Sequence, residues 1–180
     1  VLGGWYGAAA ESDYPYAAND AMEDLEESQR SSSVSHLTDA DILYTPEEVK
    51  SAVMEKGAVM CSFHSGDGTF HTAEVNVYNA SAAGRAVDHS VSIVGWDDDY
   101  PKIKFDDEGK APAEDGAWLC RNSWGDGWAE GGYFWISYED ATVGDFCSFQ
   151  AEAPDNYDNI RQYDGACGNL FVASEKTANM

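Results

Sequence analysis

Apolar and polar positions along the chain sort into a few short β-prone runs and one well-marked helix. Asp88-His89-Ser90-Val91-Ser92-Ile93-Val94-Gly95-Trp96 and Trp118-Leu119-Cys120-Arg121-Asn122 each set a polar side chain, His89 or Asn122, at the edge of an apolar run. Strands hold a site more tightly than loops do, so the pattern predicts a rigidly placed His and Asn. A third run, Ala58 to Phe63, reads as a buried strand carrying Cys61, Ser62 and Phe63. Just before it, Thr45-Pro46-Glu47-Glu48 predicts a helix start, with Thr45 as N-cap, Pro46 at the first helical position and Glu48 closing a capping box. Val49, Ala52 and Val53 supply its buried face and Gly57 its stop.

The chemistry follows from the two strand edges. A His whose ring is oriented by an amide oxygen keeps a defined tautomer and can exchange a proton with a nucleophile. Trp124 and Trp128 sit four residues apart, but Gly125 and Gly127 rule out a helical core stripe, so both belong to a Gly-rich loop. Asp88 reads equally as a partner of the neighbouring His89 or as a surface carboxylate. His64 and His71 have no partner pattern and read as surface residues.

Elsewhere the pattern is polar. Residues 17–45, with Met22-Glu23-Asp24-Leu25-Glu26-Glu27-Ser28 and Ser31-Ser32-Ser33, read as a surface crossover. Residues 64–87 are turn-rich around a strand-like alternation from Ala73 to Tyr78. Asp97-Asp98-Asp99 and Asp106-Asp107-Glu108 flank Tyr100 to Phe105 in what reads as a long solvated acidic loop, without the ligand order of an EF-hand. Asn79-Ala80-Ser81 fits a glycosylation sequon, a triplet that arises often by chance.

Composition narrows the partners. A chain of 180 residues, 43% hydrophobic, can bury one sizeable core. Its formal charge of −23, with only 10 Lys and Arg, argues against nucleic acid and anionic membranes, and no apolar run is long enough to span a bilayer. Cys61, Cys120, Cys147 and Cys167 form no C-x-x-C pair and no ligand spacing with histidine, so neither a metal nor another cofactor is expected. Cys61 and Cys120 read as buried, inert thiols. Cys147 and Cys167 are free to pair if the protein is secreted, and the sequence leaves that open.

Asp88 to Trp96, followed by Trp118-Leu119-Cys120-Arg121-Asn122-Ser123-Trp124-Gly125-Asp126-Gly127-Trp128-Ala129-Glu130-Gly131-Gly132-Tyr133-Phe134, resembles the His and Asn blocks of the papain-like cysteine peptidases. Tyr14-Pro15-Tyr16 is similar to a segment following a helix of their first domain, whereas Gly3-Gly4 is too close to it to match their substrate-binding Gly-Gly. The resemblance implies an α+β papain-like fold: residues 1–45 as the end of the helical half and a crossover, 46–150 as the antiparallel β-barrel half carrying the His and Asn, and 151–180 as a C-terminal tail or a junction to a following module. Trp-Asp-Asp-Asp-Tyr at 96–100 and the tract Asn156 to Asp164 resemble bacterial members that carry a lectin-like module after the peptidase.

The family's nucleophile motif, a Gln shortly before a Cys-Trp, is not in this sequence, and the expected spacing puts it ahead of Val1. The resemblance therefore implies a cysteine peptidase acting on polypeptide. His89 and Asn122 are its catalytic pair here, Trp124 shields their bond, Trp128 and Ser62 approach the cleft, and a Cys-bearing segment of the same protein completes the site. An extracellular or cell-surface location is expected. The alternative reading is a catalytically inactive relative used for binding or adhesion.

Overall fold

The structure is a computed structural model that describes residues 8–10, 12, 33–66, 75–106, 109–153, 159–163 and 170–175. It divides into two compact units, Asp41–Ser148 and a second made of Val1–Ala40 with Phe149–Met180. Tyr14-Pro15-Tyr16, Gly3-Gly4, Met22 to Ser28, His71, Asp107, Glu108 and Cys167 lie outside the described residues, as do 156–158 and 164 of the tail.

In the unit Asp41–Ser148, the helix α1 (Pro46–Lys56) begins and ends where the sequence marks it. Thr45 accepts the Glu48 N–H, the Glu48 carboxylate accepts the Thr45 N–H, and Gly57 closes the helix at φ +93°, a conformation that suits glycine. The strands β3 (Val59–Phe63), β4 (Asn76–Val77), β5 (His89–Asp97), β6 (Ala117–Arg121), β7 (Tyr133–Ser137) and β8 (Gly144–Glu152) follow, the last four residues of β8 being counted with the second unit. They pair in the order β8-β3-β5-β6-β7-β4, antiparallel except for β4 beside β7.

Register decides what faces inward. Val59 pairs with Ile93, Cys61 with Val91, and Phe63 with His89; across β5 and β6, Ile93 pairs with Cys120. Side chains alternate along a strand, so these residues share one face, and Phe134 and Ile136 of β7 complete it. Val49, Ala52 and Val53 of α1 close over that face, giving a core in which Val59, Cys61, Phe63, Ile93, Cys120, Phe134 and Ile136 are wholly buried. An α+β arrangement follows, mainly sheet, with a single α-helix among the described residues.

The second unit contains β1 (Ala8–Ala9) antiparallel to β2 (Ser33–Ile42), all but the last two residues of which lie in it, and a hairpin of β9 (Asn159–Tyr163) with β10 (Leu170–Glu175). Residues 33–42 are thus a ten-residue strand, where the Ser- and Asp-rich composition predicted irregular crossover. Val34, Thr38 and Ile42 carry enough β-preference once a partner strand supplies the hydrogen bonds.

Three further segments gain detail. The acidic loop after β5 is not merely solvated: Tyr100 and Phe105 are buried with Ala117 in a small second cluster, and a 3-10 turn, Lys102–Phe105, carries Phe105 inward. Asn79 is 1% exposed, so the sequon asparagine has no free amide to glycosylate in the folded chain. Of the alternation from Ala73 to Tyr78, residues 73 and 74 lie outside the described residues, and the described part holds the two-residue β4, where Asn76 and Val77 are both buried. Among the described residues no helix is long and apolar enough to cross a membrane.

Asn79 is held by Asp140, a carboxylate 5% exposed that no sequence pattern singles out. It accepts bonds from the backbone and side chain of Asn79, the backbone and hydroxyl of Thr142, and the Val143 N–H. Thr142 and Asn79 in turn bond the backbone of His64 at the end of β3. Removing the acceptor strands several buried donors, so Asp140→Ala is expected to cost about 3 kcal/mol in urea unfolding. Thr45→Ala, which loses a single cap on an exposed helix end, should cost about 1 kcal/mol.

Candidate active site

His89 opens β5 and Asn122 lies one residue past β6, both on the edge of the core-facing side of the sheet. His89 Nε2 is 3.0 Å from Asn122 Oδ1, and Asn122 is 3% exposed. The same Oδ1 accepts the Ser123 N–H at 2.8 Å. An atom that accepts from a backbone N–H must be the oxygen of the amide, so the amide orientation is determined and the His89 bond can run only from Nε2–H to Oδ1. The neutral ring is therefore protonated on Nε2, and Nδ1 is the nitrogen left with a lone pair.

Aromatic groups pack on both sides of the imidazole. Phe63, its register partner, meets it edge-on at 5.6 Å between centroids. Trp124 stacks on it at 5.2 Å and 29° while remaining half exposed on its outer side. Trp128 stands edge-on to Trp124 at 5.0 Å and to Phe134 at 5.4 Å, tying the loop to the core. Water reaching a hydrogen bond weakens it, so an indole lying over the ring strengthens the His89–Asn122 bond.

Asp88 accepts the backbone N–H of Ser65 at 2.7 Å and its hydroxyl at 3.0 Å, with His64 Nδ1 3.5 Å away. The Ser65 N–H holds its carboxyl below the usual carboxylate range, helped by the Ser65 hydroxyl, His64 and His89. His64, read from sequence as a surface residue without a partner, lies part-buried with Nδ1 2.7 Å from the Ala86 carbonyl. Neither Ser65 nor His64 carried a signal, because their partners are more than twenty positions away along the chain.

Ser62 is 8% exposed, with its hydroxyl 3.0 Å from that of Ser90 across β3 and β5. Beside this pair the surface opens into a cavity of about 240 Å³ lined by Met60, Ser90, Ser92, Arg121, Asn122 and Ser123. Cys61 and Cys120 are wholly buried, and burial next to Cys61 pushes the Cys120 thiol far up. Cys147, a free thiol on β8, is also pushed up by burial. Among the described residues no group of three or more His, Cys, Asp or Glu is gathered for a metal ion.

The papain family cysteine protease pattern matches residues 5–154. The chain belongs to the papain family of cysteine proteases. Cysteine endopeptidase Rep1 of Oryza sativa subsp. japonica is 25% identical over 147 residues, which is 82% of this chain and 36% of that protein. The clostridial cysteine protease Cwp84 after propeptide cleavage superposes with a TM-score of 0.75 and 31% identity over 89% of this chain and 41% of that one. A structure of the cysteine protease and lectin-like domains of Cwp84, described as a surface layer associated protein of Clostridium difficile, gives 0.73 and 32% over 91% and 37%. The chain thus spans less than half the length of these relatives.

A carboxyl held low in the fold stabilises it above the unfolded group's pKa, and that contribution disappears as pH falls through the folded value. Asp88 should therefore titrate at a lower pH than an ordinary carboxyl, as read from its side-chain carbonyl carbon shift. Ser65→Ala keeps the backbone donor and loses only the hydroxyl, so it should move that midpoint part of the way back up; no movement would mean the hydroxyl bond is not made.

Proposed function

We propose that this chain supplies the His and Asn of a Cys-His-Asn peptidase, and that the nucleophilic Cys comes from another segment of the same protein. The observation that carries the proposal is the bond between His89 Nε2–H and Asn122 Oδ1 beneath Trp124, in a chain of the papain family. With Nε2 committed to Asn122, Nδ1 is the atom for proton exchange. A Cys thiolate paired with protonated His89 attacks the peptide carbonyl; His89 then donates its Nδ1 proton to the leaving amine and next takes a proton from the water that releases the acyl group.

None of the thiols described above suits the role. Cys61 and Cys120 are sealed in the core, and burial pushes the Cys147 thiol up, away from the thiolate. Trp124 acts as the shield of the pair, Trp128 and Ser62 border the cleft, and Asp88 fixes the start of β5. The substrate is polypeptide, no nucleic acid or membrane insertion is involved, and an extracellular or cell-surface site of action fits the likeness to Cwp84. A lectin-like module following residues 151–180 fits the same likeness.

The test compares the chain alone with the chain combined with its Cys-bearing segment. Alone it should neither cleave a peptide substrate nor react at a thiol with an active-site epoxide; combined, it should do both. His89→Ala should lower kcat of the combined protein by roughly 10³-fold or more, since it loses the proton carrier, and Asn122→Ala by clearly less, since it loses only the orienting group. No turnover in the combined protein would favour an inactive binding domain. Labelling of Cys61, Cys120, Cys147 or Cys167 in the chain alone, with turnover that depends on His89, would overturn the two-part reading.

A further inference from the structure

Arg121 is the last residue of β6, and strand alternation turns its side chain away from the core-facing side on which Asn122 lies. The loop that follows folds back over it. One guanidinium nitrogen, Nη1, donates to the Gly131 carbonyl and the other, Nη2, to the Asp126 carboxylate, while the central carbon of the group, Cζ, lies 4.7 Å from the centre of the Tyr133 ring. The middle and the end of the loop thus meet on one rigid fork, a geometry that the point charge of a lysine does not reproduce. Gly132 accommodates it closely: a Cβ there would stand 2.7 Å from Arg121 Nη1 and 3.0 Å from the Gly125 carbonyl.

That loop carries everything that orients the His89 ring from the Asn122 side. Its first N–H, from Ser123, fixes the Asn122 amide, and its first indole, Trp124, covers the imidazole. The backbone bond from Asn122 N–H to the Gly132 carbonyl closes its neck, and Gly132 N–H bonds the Trp128 carbonyl. We propose that Arg121 is a positioning residue for the His89–Asn122 pair: by clamping Asp126 and Gly131 it holds the Ser123 N–H and Trp124 where they select the Nε2-protonated tautomer of His89. The role builds on the catalytic reading of that pair. It adds that the tautomer is set through a cation on the opposite face of the strand.

The readout is the tautomer itself, in the chain with ¹⁵N-labelled histidine, by long-range proton–nitrogen correlation at a pH where the ring is neutral. The unmodified chain should give one species at His89, Nε2 protonated and Nδ1 bare. Arg121→Met should shift it to a mixture of both tautomers, with Arg121→Lys in between, because lysine can reach one partner at a time. Asp126→Asn removes one charged arm from an exposed position and should give a smaller shift in the same direction, which keeps the test decisive if Arg121→Met does not fold. Lys56→Met, which breaks an ion pair with Asp41 elsewhere in the unit, should leave the tautomer untouched.

A single Nε2-protonated species in a cooperatively folded Arg121→Met chain overturns the clamp. So does an unshifted Asp126→Asn if Arg121→Met is unfolded, or a shift in Lys56→Met as large as that in Arg121→Met. The readout needs no turnover. A tautomer shift in a combined protein without peptidase activity defeats the catalytic reading alone, and turnover with an unshifted Arg121→Met tautomer defeats the clamp alone.

Discussion

The pairing of β5 with β6 is the constraint on which the rest depends. Ser92 opposes Arg121 and Ile93 opposes Cys120, and continuing that register sets Asn122 opposite Val91 and brings its amide within reach of His89 two residues along. A slip of one residue would turn Asn122 outward and Arg121 inward, replacing a buried amide with a buried guanidinium. The register is therefore enforced by burial: Val91, Ile93 and Cys120 must face the core, and the polar pair inherits its position from them. Stability and site geometry are here the same requirement, met at the two ends of the same strands.

The acidity of the chain has a structural use beyond solubility. With 33 Asp and Glu against 10 Lys and Arg, most carboxylates have no cation to pair with. Many instead accept backbone N–H groups that irregular segments leave unpaired: Asp97 takes that of Asp99, Asp106 that of Gly109, Asp115 that of Lys102, and Glu139 those of Ala113 and Glu114. The loop between β5 and β6 is fastened this way, with Tyr100 and Phe105 as its apolar anchors. Asp140 is the buried extreme of the pattern, binding neutral donors only, and it ties the segment after β7 to the end of β3.

What the sequence made legible is what short-range pattern encodes. The capping box at Thr45, the stop at Gly57, the β-prone runs and their polar edges all involve neighbours along the chain, and the structure has the helix and three of the strands where those signals lie. What it hid is long-range. Asp140 meets Asn79 across 61 positions and Ser65 meets Asp88 across 23, so nothing near either residue announces the contact. Residues 33–42 were obscured for a related reason: a strand rich in Ser and Asp is made by its pairing, not by its own preference. The loop from Ser123 to Gly132 is intermediate. Its glycines and tryptophans signal a special turn, but that Arg121 holds it from the far face follows only from strand alternation combined with the fold.

The committed Nε2 also limits how a nucleophile can approach. A neutral imidazole has one proton and one lone pair, and here the proton points into Asn122 beneath Trp124. In the proposed reaction, proton exchange is left to Nδ1, and the same nitrogen has to accept from a thiol or water and return the proton to a leaving group. A thiol reaching the ring from the Asn122 side would meet a donor instead of an acceptor and would have to displace an indole and break a sheltered hydrogen bond to do so, a cost of the order of 1–3 kcal/mol for the amide left unpaired alone. Cys120, two residues before Asn122 on the same strand, is barred by its place in the core. In the proposed reaction, specificity for one direction of attack is thus built in before any nucleophile arrives, and it rests on the orientation of one amide group.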